Sequence, residues 1–470
     1  MRKPVSNPDP CRLARCGAAA LAVLLALGLC GCSHKPQRRA GPPNVLLISV
    51  DTLRADRLGC YGYERPTSPF LDEFAEEAAL FENAIVNCHS TGPSHTTMLT
   101  GLYQETHRVQ WDPRLYRLHK GWAVPAGAPM LQEILRENGY ETLGVTEDGY
   151  VGRSFGFARG FHRFRDDQPR DVRSSAQALM EFVRQRKSPE KPLFLFFHTY
   201  QVHGVYRSPE RYRRELARHV RLPGEGDLWK RVDYIITEYM NRARELDPRT
   251  IASLSRLYDA AIRYADDALR DLLADLEDEG FFDGEYLIVI TADHGEEFGE
   301  RGGLQHRGVL FEELIHVPLI IRGTRIPAGR RTDLAATADI APTILRYCGI
   351  DPPAWMPGRD LFGGTAAPDF IFTQYGNIAY ALRGHRWKLI DAIPIHAGAG
   401  FDDPFQLMLF DLENDPGETR NLAAERTDIA REWKARLDRF RETLSEVKMP
   451  GERQLSEKEI ERLRSLGYMR

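Results

Sequence analysis

Three continuous apolar runs constrain this chain most: Asn44 to Val50 (NVLLISV), Leu193 to Phe197 (LFLFF) and Tyr286 to Thr291 (YLIVIT). None alternates with polar residues and none carries a helical period, so each reads as a strand buried on both faces, as in a parallel sheet covered by helices. Each run also hands over to residues with ligand chemistry. Asp51 follows the first, His198 and His203 follow the second, and Asp293 and His294 follow the third. Open α/β sheets collect ligands at the carboxyl ends of their strands. Carboxylates and imidazoles brought to one such edge suit a divalent cation, which neutralises an anionic ester and activates a hydroxyl.

The segments between these runs have an α/β rhythm. Pro66-Thr67-Ser68-Pro69 predicts a helix start with Ser68 as cap, and Phe70, Phe74 and Ala78 share one face of that helix. Met130 to Asn138 reads as a helix stopped by Gly139, followed by a strand over Tyr140 to Thr146. Tyr258, Ile262, Ala265, Leu269, Leu272 and Leu276 step by threes and fours along a long helix that Gly280 ends. Val317 to Ile321 is a further strand, and a helix through Leu345 closes the main domain, 44–360. Within it, 206–250 is strongly charged and contains the turn Pro223-Gly224-Glu225-Gly226, which predicts a partly helical insertion, either one that shapes substrate access or a solvated surface excursion. A smaller C-terminal α+β part, 361–470, carries strands near Ile371 to Thr373 and Trp387 to Ile390 and a charged helix near Asp428 to Leu444.

The formal net charge of −4 is small, with both signs mixed along the chain, so no nucleic-acid partner is implied. Arg2, Lys3, Arg12 and Arg15 precede an apolar run, Ala18 to Leu29, too short for a mature membrane span and suited to a secretion signal. Leu29-Cys30-Gly31-Cys32-Ser33 resembles a bacterial lipobox. That resemblance implies a signal peptide over 1–32, cleavage before an acylated Cys32 and a tether over 33–43. It implies a lipoprotein of the bacterial cell envelope, with Ser33 favouring the outer membrane, facing the periplasm. The remaining cysteines, Cys60, Cys88 and Cys348, form neither a disulfide framework nor a metal spacing.

Thr91-Gly92-Pro93-Ser94-His95 with Leu99-Thr100-Gly101 resembles the active-site motif of the sulfatase family, within the alkaline phosphatase superfamily. NVLLISVD, the AIRYADDALRDLL helix before TADHGEE, VPLII, DIAPTIL and FDLENDPGETRNLA match the same family in the same order, from about residue 44 onward. The resemblance implies an alkaline-phosphatase-like α/β fold, a large mixed, mainly parallel sheet flanked by helices, and a metal-dependent ester hydrolase. Several positions depart from the family's pattern. Sulfatases convert a Cys or Ser to formylglycine where this chain has Thr91, which cannot form that aldehyde. His95 replaces the family's Arg and Thr52 its second Asp, and the Gly-Lys-Trp-His signature has no counterpart after Gly139-Tyr140. Thr91 through Tyr103 resembles instead the nucleophile loop of nucleotide pyrophosphatase/phosphodiesterases.

That second resemblance implies Thr91 as nucleophile and Asp51, Thr91, Asp293 and His294 as ligands of one divalent ion: calcium, zinc or manganese. Gln201 stands where relatives carry an Asp, which weakens a second metal site. His95, His203 and His306 take catalytic roles by position, His203 as donor or general acid and His306 in place of the family's later lysine. Glu296 and Glu297 read as loop-capping or solvated, and Arg383 and Lys388 as the fringe of the pocket. The expected partner is an anionic ester, a small molecule or one linked to glycan or lipid, cleaved as a phosphate (di)ester or a sulfate ester. An envelope phosphotransferase and a non-catalytic lipoprotein that retains the fold are the alternatives.

Overall fold

A computed structural model of the chain describes residues 1, 39–109, 120–121, 123–147, 149–240, 246–306, 310–392, 406–444, 453–454 and 456–465. Apart from Met1, the expected signal peptide lies outside the described residues, as do Cys32 and most of the expected tether. Ala40–Arg470 forms one compact unit. No helix among the described residues is long and apolar enough to cross a membrane.

The main sheet holds eight strands: β1 (Arg39–Val50), β2 (Ala79–Ile85), β3 (Glu141–Glu147), β4 (Arg163–Gln168), β5 (Leu193–Thr199), β6 (Gly284–Thr291), β7 (Leu319–Gly323) and β8 (Gly329–Ala336). Their spatial order is β8-β2-β7-β6-β1-β5-β3-β4. β1 pairs in parallel with β5, β5 with β3, β3 with β4, and β8 with β2, whereas β7 runs antiparallel to β2 and β6. The sheet is therefore mixed and mainly parallel, as the family resemblance implies. The three apolar runs sit side by side at its centre. Their side chains alternate between two cores: Leu46, Ile48, Val50, Leu195, Phe197, Ile288 and Ile290 fill one, and Val45, Leu47, Phe194, Phe196, Leu287 and Val289 fill the other. Burial on both faces explains the unbroken apolar sequence.

The expected helices form with small changes of boundary, whereas α2 and α4 form where the sequence predicts none: α1 (Pro69–Glu76), α2 (Thr91–Thr100), α3 (Leu131–Glu137), α4 (Val172–Arg184), α5 (Glu210–Leu216), α6 (Leu228–Met240), α7 (Pro248–Asp278), α8 (Ile340–Tyr347) and α9 (Thr427–Thr443). α7 starts ahead of its clear periodicity because Asp247 caps it, accepting from the Arg249 and Thr250 amides at 3.0 and 3.1 Å. The insertion supplies α5 and α6, and buries Leu216, Leu222, Val232, Ile235 and Ile236 in the main core. A four-stranded antiparallel sheet follows: β9 (Phe370–Tyr375), β10 (Ala379–Gly384), β11 (Trp387–Ala392) and β12 (Gln406–Asp411). α9 covers it through Ala430, Trp433 and Leu437.

Ser68 does not cap α1. Its hydroxyl is spent on Asp72 and the Gly59 amide, both at 2.9 Å. Asp266, projecting from α7, accepts instead from the Phe70 and Leu71 amides, each at 2.9 Å. A cap supplied by tertiary contact has no local signature in the sequence. Replacing Asp266 with Ala leaves one buried and one partly buried amide unpaired, and chemical denaturation is expected to register a loss of about 1–3 kcal/mol. An unchanged unfolding midpoint would remove Asp266 from this role.

Candidate active site

Parallel pairing of β1 with β5 puts Ser49 opposite His198, and the Asp51 amide donates to the Thr199 carbonyl at 3.0 Å just beyond the strand end. The chain then turns through Thr52, whose φ of 57° lies in the left-handed region. Its hydroxyl donates to the Asp51 carbonyl at 2.7 Å, and its own carbonyl accepts from the Tyr258 hydroxyl at 2.7 Å. Asp293 emerges from β6. Its Oδ1 accepts from the amides of Thr52 at 3.2 Å and His294 at 3.0 Å.

These bonds leave one oxygen of each aspartate over. Asp51 Oδ1 and Asp293 Oδ2 are buried with no hydrogen-bond partner among the described residues. Asp51, Asp293 and His294, all fully buried, bring ligand atoms within 4.8 Å of one another. Burial and the Asp293 carboxylate beside it push the Asp51 carboxyl well above the usual carboxylate range. Two dry carboxylates with unsatisfied oxygens are the donor set that a hard or borderline divalent cation satisfies. His294 completes that set in the correct tautomer. Its Nδ1 donates to the Gly295 carbonyl at 2.9 Å, which leaves the Nε2 lone pair facing inward, as second-shell bonds do in metal centres. The residues present fit a metal ion.

Thr91 opens α2, a helix with all ten residues buried. Its Oγ1 lies 3.4 Å from Asp51 Oδ2 and 3.3 Å from His294 Nε2. Two contacts fix it there. Ser94 donates to the Asp293 carbonyl at 2.7 Å, and His95 Nδ1 donates to the Thr91 carbonyl at 2.8 Å. The other His95 nitrogen meets the Ser49 hydroxyl at 2.9 Å, so this imidazole ties α2 to β1. The motif read as a loop is thus the first turn of a helix, whose amides direct partial positive charge at the nucleophile position.

His198 stacks edge-on against His95 at 4.4 Å, and its Nε2 stands 3.8 Å from Asp51 Oδ2 with no hydrogen-bond partner among the described residues. Burial pulls the His95, His198, His203 and His294 imidazoles below their ordinary range, so the walls carry neutral rings. His306 joins the cluster, 4.5 Å from His294 and 5.1 Å from His203 by ring centroids. The structure therefore gathers Asp51, Thr91, His95, His203, Asp293, His294 and His306, although His95 acts from behind Thr91.

Two expectations are corrected. Glu296 and Glu297 are buried rather than solvated, although Glu297 does cap the loop, accepting from the Gly303 and Arg301 amides at 2.7 and 3.0 Å; Glu296 accepts from Tyr206 at 2.7 Å and lies 3.2 Å from His306 Nδ1, and burial pushes it up to about 8. Arg383 and Lys388 do not fringe the pocket, because both are committed to Glu312. Arg170 was not singled out by sequence. Its guanidinium lies 3.5 Å from His203 Nδ1 and 5.0 Å from the Tyr200 ring centroid. It belongs to a charged run with no motif around it.

A family model described as Sulfatase matches residues 43–350, more than half of the 470. The chain belongs to the sulfatase family. Its sulfatase-type C-terminal part also matches a model described as N-sulphoglucosamine sulphohydrolase, C-terminal, over residues 299–443. Iduronate 2-sulfatase of Homo sapiens is 26% identical over 336 residues, a match spanning 59% of this chain and 59% of that protein. A delta 4,5-hexuronate-2-O-sulfatase of Bacteroides thetaiotaomicron is 24% identical over 469 residues, covering 88% of this chain and 92% of its own. Among solved structures, a phosphonate monoester hydrolase from Silicibacter pomeroyi superposes with a TM-score of 0.67 at 21% identity, covering 86% of this chain and 96% of that one. Sulfatase relatives and a phosphonate monoester hydrolase neighbour agree with the ester hydrolase expected from sequence.

Proposed function

We propose that this chain is a metal-dependent hydrolase of anionic esters that uses Thr91 as its nucleophile, with phosphate and phosphonate esters preferred over sulfate. The observation that carries this reading is the position of Thr91 Oγ1 between Asp51 Oδ2 and His294 Nε2, the latter 3.5 Å from Asp293 Oδ2. Asp51, Asp293 and His294 would hold a divalent cation, which would supply Lewis-acid polarisation and ease ionisation of the Thr91 hydroxyl. Thr91 Oγ1 attacks the central atom of the ester in line, forming a covalent bond to the chain while the leaving oxygen departs. His203, a neutral imidazole held beside Arg170, serves that oxygen as a hydrogen-bond partner, and the oxygen takes its proton from water. Water then hydrolyses the threonine ester. Asp51 Oδ2, which accepts from the attacking hydroxyl at 3.4 Å, takes its proton, and the first turn of α2 favours the negative charge that develops beside it.

The named relatives favour a second substrate class, sulfate esters on uronic-acid glycans, since both act on such groups by their names. A threonine cannot supply the aldehyde on which formylglycine chemistry rests, so the phosphorus esters rank first. Metal-reconstituted protein offered aryl phosphate diesters, phosphonate monoesters and sulfate esters separates the classes. The expected order puts a phosphorus ester first. Thr91→Ala is expected to lose turnover on the order of a thousandfold or more with its thermal unfolding unchanged. Fastest cleavage of a sulfate ester, or turnover surviving in Thr91→Ala, would contradict the reading.

In the same reading the chain is exported and held at the envelope membrane by an acylated Cys32. The support is the sequence around Leu29-Cys30-Gly31-Cys32-Ser33. Wild-type protein is expected to incorporate labelled fatty acid and to sediment with membranes, and Cys32→Ala to do neither. An unlabelled, freely released wild-type chain would refute the anchor.

A further inference from the structure

Lys388, on β11 of the C-terminal sheet, is completely buried, and nothing in the proposed reaction uses it. Its Nζ lies 3.0 Å from Glu312 Oε1 and 2.7 Å from Glu418 Oε1. Glu312 also takes Arg383, on β10, at 3.2 Å, and its own amide donates to Glu418 Oε2 at 2.8 Å. Arg301 closes the cluster from the other side, donating to the Gly417 and Glu418 carbonyls at 2.7 and 2.9 Å and to Glu313 at 3.0 Å.

What this cluster grips is a single helical turn, Glu312–Ile315. The turn's carbonyls hold the backbone immediately after the metal-type ligands. Gly295 donates to the Leu314 carbonyl at 2.9 Å, and Glu296 to the Glu313 carbonyl at 3.1 Å. The approach is so close that a Cβ on Gly295 would stand 2.0 Å from the Glu313 oxygen. The same turn reaches two other parts of the site's frame: Ile315 and His316 accept from the amides of Val86 and Ala55, at 2.9 and 3.4 Å. A buried ion cluster gives little net stability over a well-packed apolar one, because desolvation offsets the Coulomb attraction. Its directional bonds do fix the geometry of whatever carries its members.

We infer that Lys388 is a positioning residue for the Asp293–Glu296 turn, acting from the C-terminal sheet through Glu312 and Glu418. For its functional consequence this rests on the reading of Asp51, Asp293 and His294 as the cation site. The C-terminal sheet is then part of the ligand-holding frame rather than only a neighbour of the pocket.

The test compares wild type, Lys388→Met and Glu312→Gln in the full chain, with two readouts. The first is amide hydrogen exchange across 293–296 in metal-free protein, with β5 as internal reference. The second is calorimetric affinity for calcium, zinc and manganese ions, each added alone. Exchange at 295–296 is expected to accelerate about tenfold or more in both variants, with β5 unchanged, and ion affinity to fall roughly tenfold, the scale seen when outer-shell partners are lost. Folded variants with wild-type exchange at 295–296 overturn the inference. If Lys388→Met does not fold, Glu312→Gln, which keeps the shape, decides alone. Failure of both to fold also overturns it, since the cluster would then hold the whole domain. A wild type that binds none of the ions would sink the proposed function while leaving the exchange result to judge Lys388.

Discussion

Two buried carboxylates at one sheet edge impose the constraint that organises this molecule. Asp51 and Asp293 leave β1 and β6 side by side, and each keeps one oxygen without a partner among the described residues. Like charges in a dry site cannot both ionise without a cation, and an unsatisfied buried oxygen is costly. The surroundings hold the pair in this state. Amides of Thr52 and His294 fix Asp293 Oδ1, and Tyr258 fixes the turn after Asp51 from α7. The longest helix in the described chain thus helps to define where the carboxylates point.

Thr91 derives its meaning from that pair. A threonine hydroxyl is a poor nucleophile at neutral pH, and here it sits at the positive end of a fully buried helix, against Asp51 and His294. Its helix cannot shift easily. Ser94 is bonded to the Asp293 carbonyl, His95 to the Thr91 carbonyl and to Ser49, so nucleophile and ligands share one hydrogen-bonded frame. Burial disfavours the charged forms of His95, His198, His203 and His294, so the positive charge close to these rings comes from the amides of α2, from Arg170 beside His203 and, when bound, from a cation.

The central strands were legible because burial on both faces writes a continuous apolar run, and their ends marked Asp51, His198, His203, Asp293 and His294 as one group. Thr91 was legible only through motif resemblance. Its helix was not, since Thr, Gly and Pro are weak helix formers and α2 is stabilised by burial on all sides rather than by an amphipathic stripe. β2 and β8 were missed for a related reason: their sequences, ALFENAI and GRRTDLAA, mix charge with apolar residues. The roles of Asp266, Glu296, Arg170 and Lys388 depend on partners far away in the chain, and charged residues in charged surroundings give no local sign of such partners.

The account stands or falls on whether the carboxylate pair holds a cation. Equilibrium dialysis of the purified chain against a divalent ion, followed by elemental analysis, measures this directly. One ion per chain is expected for the wild type, with occupancy lost in Asp51→Asn and in Asp293→Asn. A wild type that retains no ion, or two variants that retain as much as the wild type, would contradict it.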